Sequence, residues 1–165
     1  MIKLQTNMGD ILITLNPEKA PISSANFLNY VKQGFYDGTI FHRIINSFMV
    51  QGGGFTPDMK QKTTQAQIQN EADNGLKNIR GALAMARTSD PHSATGQFFI
   101  NTVDNSFLDH RSKTADGWGY CVFGQIVEGL DVLDQIRAVK TGNRAGHQDV
   151  PLMDVILEKA TVLED

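Results

Sequence analysis

The sequence predicts a mainly β fold, and three observations carry that expectation. Short apolar-rich runs recur along the chain with turn residues between them. Only two stretches show the helical period. No run of apolar residues approaches the about 20 needed for a membrane span.

Taken in order, "IKLQT" and "ILITL" flank "NMGD", whose Gly-Asp pair between apolar runs predicts a hairpin. The period then changes. In "APISSANFLNYVKQGFYDG", Pro21 suits a first helical turn, Ile22, Ala25, Leu28 and either Val31 or Lys32 recur at helical spacing, and Gly34 suits the stop. Further strands are predicted at "TIFHRII", "FMVQG", "GALAMA", "QFFIN", "YCVFGQIV" and "DVILEKATVL", with a second helix near "LDVLDQIRAV". About eight strands suit a closed antiparallel barrel or a sandwich, and eight is a size that interior side chains can fill. Two helices could then plug the ends. Residues 56–78 are long, polar and poorly periodic, and loops of that length in a compact domain are often functional.

Composition narrows the classes. The 165 residues suit one domain, 41% hydrophobic and 20% charged, which is ordinary for a soluble globular chain. A formal charge of −3 argues against a general nucleic-acid binder. Cys121 is the single cysteine, so no internal disulfide can form and a reducing compartment, the cytosol, is expected. The start "MIKLQTNMGDILITL" lacks a continuous apolar segment with a cleavage site. No membrane association is expected, and a monomer is.

Conventional chemical apparatus is missing from the pattern. His42, His92, His110 and His147 never pair at ligand spacing, and no HExxH pattern occurs, so neither a metal nor another cofactor is expected. "GGGF" lacks the GK[ST] ending of a phosphate loop and reads as a bend or bulge at a strand end. No serine sits in G-x-S-x-G, and Cys121 lies within an apolar strand. What stands out is "FHRIINSFMVQGGGF", residues 41–55, with a guanidinium inside an apolar run. Strand alternation would put Phe41, Arg43 and Ile45 on one face, with His42 and Ile44 on the other. Met49 and Gln51 would likewise share a face, as would Gln97 and Phe99. Arg43 alone would read as a stem over apolar surface with its head in water. A convergent set of such faces changes that reading.

"FHRIINSFMVQGGGF" and "GALAMARTSDPHSATGQFFIN" closely resemble the two signature segments of the cyclophilins, the peptidyl-prolyl cis-trans isomerases. The resemblance runs from the opening hairpin to the final strand. Compact bacterial cytosolic members are the most similar, given the short amino end and the insertion "HRSKTADGWG". The resemblance implies an eight-stranded closed antiparallel barrel capped by two helices, with the active groove on its outside. It implies that Arg43 is the catalytic arginine and that Phe48, Met49, Phe99 and Leu108 receive the proline ring. Gln51 and Gln97 match polar groups beside the substrate backbone, and Ala86 and Arg87 match the edge strand that meets the residues before proline.

Three positions depart from the pattern. Arg87 stands where many members carry asparagine, Phe107 where many eukaryotic members carry tryptophan, and Tyr120 where those carry histidine. The last two change the hydrogen-bond donors at the rim, so weak cyclosporin binding is expected. The implied partners are proline-containing peptides and unfolded or flexible protein segments. A non-catalytic module that docks proline-containing segments is the alternative, since a fold does not guarantee its usual activity.

Overall fold

The computed structural model describes residues 1–163. Its strands are β1 (Ile2–Thr6), β2 (Gly9–Leu15), β3 (Thr39–Ile40), β4 (Arg43–Ile45), β5 (Met49–Gly52), β6 (Ala82–Met85), β7 (Phe98–Asn101), β8 (Val122–Glu128), β9 (Thr141–Arg144), β10 (His147–Pro151) and β11 (Ile156–Val162). Two α-helices, α1 (Pro21–Lys32) and α2 (Leu130–Arg137), complete the regular structure with short 3₁₀ turns at Ala72–Asn74 and Ser106–Leu108. Nine strands form one antiparallel sheet in the order β3-β11-β1-β2-β8-β6-β7-β5-β4.

The edges of that sheet are consecutive pieces of chain. Only Phe41 and His42 separate β3 from β4, so a single kinked stave, residues 39–45, supplies both edges. Counted as one strand, it brings the total to eight. The ring therefore closes through the backbone of this segment, and the sheet curls strongly as expected.

The kink also changes the predicted alternation. Phe41 and Ile44, three residues apart, both lie in the main core, so Phe41 does not share a face with Arg43 and Ile45. The glycine run explains how. A Cβ on Gly52 would sit 2.8 Å from the Phe41 ring, and one on Gly53 would meet the Tyr36 and Phe98 rings at 2.8 and 2.9 Å. Gly53 also has φ +89°, a conformation that side chains disfavour. Bare backbone at these positions lets the rings close over the strand end.

Inside the ring, alternate residues meet: Leu4 from β1, Ile11 and Ile13 from β2, Leu83 from β6, Phe98 and Ile100 from β7, and Phe123 from β8. Helix α1 caps one end with a face that shares only Leu28 and Val31 with the predicted one. Ile22 is 42% exposed and Ala25 is also exposed, while Ser23, Ser24, Phe27, Tyr30 and Val31 are buried. The two serines allow close approach to β8: Ser24 Oγ donates to the Phe123 carbonyl at 3.4 Å, and Ser23 Oγ lies 3.4 Å from Cys121 Sγ. Phe27 then packs 5.1–5.2 Å from the rings of Tyr36, Phe98 and Phe123. Hydroxyls that bond back to the sheet made a buried helix face look polar.

The hairpin β9–β10 has no counterpart among the predicted strands. Its turn places Ala145 and Gly146 at φ +51° and +81°, a double left-handed geometry usually signalled by Asn-Gly or Asp-Gly. The polar stretch 56–78 forms no named strand. Isolated bridges Phe55 to Gln61 and Ile68 to Ala94, and the Gln65 amide donating to Tyr30 Oη at 3.0 Å, fasten it down.

Phe98 contacts the rings of Phe27, Tyr36 and Phe41 from the centre of the core. Phe98→Ala is expected to destabilise the fold by about 3 to 5 kcal/mol, the usual result of emptying an aromatic core position, measured by urea denaturation.

Candidate active site

The outer faces of β5, β6, β7 and β8 carry a second apolar layer. Because side chains alternate, Val50, Leu83, Phe98 and Phe123 point into the barrel while Met49, Ala82, Ala84, Phe99 and Val122 point out. Leu108 joins this outer cluster, with Phe48, Ala86 and Tyr120 packed against it.

Strand register brings the polar groups to that layer. Arg43 pairs with Gln51 across β4 and β5, Gln51 with Phe99 across β5 and β7, and Phe99 with Ala84 across β7 and β6. Directly opposed residues are the closest side-chain neighbours in a sheet. One row thus holds the guanidinium, the carboxamide and the aromatic ring in sequence. They line a cavity of about 160 Å³ together with Phe48, Met49, Ala86, Arg87, Leu108 and Tyr120.

Two of the expected residues stand beside that cavity. Gln97 lines the neighbouring polar cavity and accepts a bond at Oε1 from Gln51 Nε2 at 3.0 Å, so it orients the carboxamide next to Arg43. Phe107 lies on the rim, 67% exposed, stacked on Phe48 at 5.6 Å between centroids. The other nine line the groove itself.

The Arg43 side chain is exposed and makes no hydrogen bond or ion pair among the described residues. Its donors are thus available to a ligand. Arg87 is engaged: Nε donates to the Gly119 carbonyl at 3.0 Å, Nη1 to the Thr88 carbonyl at 2.8 Å, and the guanidinium lies 4.6 Å from the Tyr120 ring centroid. The Tyr120 ring meets Phe99 edge-on at 5.7 Å, and its amide donates to the Leu108 carbonyl at 2.8 Å.

A buried carboxamide network holds the apolar wall. Asn101 Nδ2 donates to Asn78 Oδ1 and to the Ala82 carbonyl, both at 3.1 Å, and Asn105 Nδ2 donates to Asn101 Oδ1 at 2.8 Å. Asn105 Nδ2 also reaches the Phe48 carbonyl at 2.9 Å, while Asn78 donates to Asp109 and to the Tyr120 carbonyl. These asparagines carry no chemistry, and sequence reading passed over them. Their signal was an amide at the end of an apolar strand, "FFIN".

A larger concavity of about 560 Å³ between the β1–β2 turn, the end of α2 and residues 152–155 is mostly apolar. Among the described residues, no group of three or more His, Cys, Asp or Glu is placed to hold a metal ion. Burial pushes the Cys121 thiol up to about 11, which leaves it protonated and unreactive at neutral pH.

An antiparallel barrel with its groove on the outer wall, edged by an unpaired guanidinium, defines a protein of the cyclophilin class. A sequence model described as cyclophilin type peptidyl-prolyl cis-trans isomerase/CLD matches residues 1–162, and the chain belongs to that family. It is 61% identical to peptidyl-prolyl cis-trans isomerase cyp18 of Streptomyces antibioticus over 162 residues, covering 98% of each chain. Over 164 residues it is 59% identical to peptidyl-prolyl cis-trans isomerase B of Escherichia coli, covering 99% of this chain and all of the relative. Among solved structures, a Cryptosporidium parvum cyclophilin type peptidyl-prolyl cis-trans isomerase, crystallised in the presence of the dipeptide Ala-Pro, superposes with a TM-score of 0.84 at 26% identity over 99% of both chains.

His42, next to the free arginine, gives the site an acid limit. Its ring packs 4.3 Å from Phe55 and 6.3 Å from His147, and its Nδ1 is buried without a partner. Burial, then the neighbouring charges of His147 and Arg43, lower it from 6.5 to about 4. The fold therefore favours neutral His42. That contribution is complete above 6.5 and is lost as the pH falls toward 4, where the unfolded chain takes up a proton that the folded one refuses. The interval corresponds to about 3 kcal/mol. His42→Gln is expected to flatten the fall in urea midpoint across this window; equal losses in both proteins would place the acid sensitivity elsewhere.

Proposed function

We propose that the outer groove catalyses rotation about Xaa-Pro peptide bonds, with the Arg43 guanidinium aimed at the proline nitrogen and the ring seated against Phe48, Met49, Phe99 and Leu108. The substrates are proline-containing peptides and flexible or unfolded protein segments. A groove that contacts a proline and mostly backbone suits many such clients. With Cys121 as its single cysteine the chain can close no internal disulfide, which suits a reducing compartment, and the cytosol is the location we assign.

The chemistry explains why neither a nucleophile nor a metal is needed. Rotation of a prolyl bond faces a barrier of roughly 18 to 20 kcal/mol, and no covalent bond breaks. Reaching on the order of 10 to 10³ turnovers per second requires a barrier of about 16 to 13 kcal/mol. The protein must then supply roughly 4 to 7 kcal/mol.

In the twisted state amide resonance is lost and the proline nitrogen regains its lone pair. A cationic donor near that nitrogen bonds the twisted state better than the planar one, which is the condition for raising turnover. A well-placed donor is worth about 2.7 to 4 kcal/mol, around half of the requirement. The apolar wall anchors the ring while the other side of the bond turns, and a seated ring that displaces water there would disfavour the more charge-separated planar amide. Packing alone would hold both states alike.

The observation that supports this reading most is the position of Arg43: free of intramolecular partners, and in one cross-strand row with Gln51 and Phe99. Arg43→Ala is expected to lower isomerase activity by about 10² or more while the fold survives. Arg43→Lys should rescue poorly, because an ammonium lacks the planar fork. NMR exchange on a short Ala-Pro peptide measures both. Near-normal exchange in a folded Arg43→Ala protein would refute the assigned role, and peptide binding without faster exchange in the native protein would leave only a docking module.

Phe107 separates drug binding from turnover. Stacked on Phe48 at the rim, it provides an aromatic wall without the donor of an indole. An inhibitor that uses such a donor, as cyclosporin does with tryptophan-bearing relatives, leaves an acceptor unpaired at a penalty of about 1 to 3 kcal/mol. Phe107→Trp is expected to tighten cyclosporin binding by roughly one to two orders of magnitude, with much smaller effects on turnover. Titration of both proteins beside their exchange rates is the check, and equal affinities would refute the donor argument.

A further inference from the structure

Beside the proline groove lies a second cavity of about 160 Å³. Seven of its eight lining residues are polar, Gln61, Thr88, Thr95 and Gln97 among them, and none is acidic. Gln51, Ala86 and Arg87 line both cavities, and the Ala86–Arg87 backbone forms a sill between them.

Arg87 is the charge on that sill. Its bonds to the Gly119 and Thr88 carbonyls and its stacking on Tyr120 hold the guanidinium in place, yet all three partners are uncharged. Nη2 has no hydrogen-bond partner among the described residues. Asp90 accepts the His92 amide at 2.9 Å and Asp109 accepts from the amide and side chain of Asn78, and neither accepts a bond from Arg87. Neither Arg87 nor Arg43 forms an ion pair among the described residues. A held cation with a spare donor and no acidic partner, at the edge of a cavity that no acid lines, is arranged for an anion.

Strand geometry says which substrate residue would supply it. An extended peptide alternates its side chains, and residues two apart lie on the same side about 7 Å from each other. With the proline ring in the apolar groove, the residue immediately before it turns away from the protein. The residue two positions before it turns back, across the Ala86–Arg87 sill.

We infer that Arg87 and the polar cavity select substrates carrying a carboxylate side chain two residues before the proline. This selectivity rests on the isomerase reading of the groove given above. The attraction holds planar and twisted substrate equally, so it acts on KM and leaves kcat nearly unchanged.

The test compares three short peptides that differ only at that position, with Glu, Gln or Lys, using NMR exchange at low and high salt. At low salt, kcat/KM for the Glu peptide is expected to exceed that for the Lys peptide by about fivefold, roughly 1 kcal/mol, with Gln between them. High salt should shrink the ratio. Arg87→Lys should keep most of the preference. Arg87→Gln should bring the ratio close to one, whereas a purely structural role for Arg87 would slow all three peptides in proportion and leave the ratio unchanged. If Arg87→Gln fails to fold, the salt dependence of the ratio in the native protein decides. Equal turnover of the three peptides by the native protein would overturn the inference and leave the isomerase reading intact. Turnover of none would overturn that reading, and this inference with it.

Discussion

A single stretch, residues 39–45, has to serve as both edges of the sheet. A curled sheet with two free edges would leave two rows of backbone groups unpaired, and closure removes them. Here β3 bonds to β11 and β4 bonds to β5, with Phe41 and His42 spanning the corner. The corner forces an extra residue into the alternation. Phe41 and Ile44 go in, and Arg43 goes out, onto the wall where β5 and β7 present their outer residues. The position of the guanidinium is thus a consequence of how the barrel shuts.

The same strands therefore work on two sides. Their inner residues build a dense aromatic core around Phe27, Tyr36 and Phe98, and their outer residues build the floor of the groove. A catalyst of bond rotation needs this stiffness. If the floor yielded, the ring would turn with the rest of the peptide and nothing would be gained in the twisted state. Side chains seated on a paired sheet move less than side chains on a loop, and Met49 and Phe99 sit on central strands.

The rim is built differently. Phe48, Leu108 and Tyr120 come from turns and a short 3₁₀ element, and no ladder holds them. Asn78, Asn101 and Asn105 do that work by bonding to the Phe48 and Tyr120 carbonyls from below. A buried carboxamide network is favourable only when its members are satisfied, and a half-made one would cost more than an apolar filler. The network tolerates little change, and it transmits the rigidity of β7 to the loops around the groove.

Patterning in the sequence determined the two helices, most of the strands and the two-faced character of "FMVQG" and "QFFIN", because those follow from local periodicity and from the turn residues between elements. The resemblance carried by two long segments pointed to the groove residues, and nine of the eleven line one cavity. Periodicity misled where local chemistry hid the buried side. Helix α1 buries Ser23 and Ser24 because their hydroxyls meet Cys121 and the Phe123 carbonyl, about a hundred residues away along the chain. Alternation failed at Phe41 because closure of the ring, a property of the whole sheet, added a residue there. The β9–β10 hairpin stayed hidden because its turn uses Ala-Gly in a geometry that other residues usually announce. What only the tertiary structure decided is which charges meet an acid and which do not. Arg43 and Arg87 are left without acidic partners among the described residues, and no one-dimensional pattern records that, since pairing depends on distances between elements far apart in the chain.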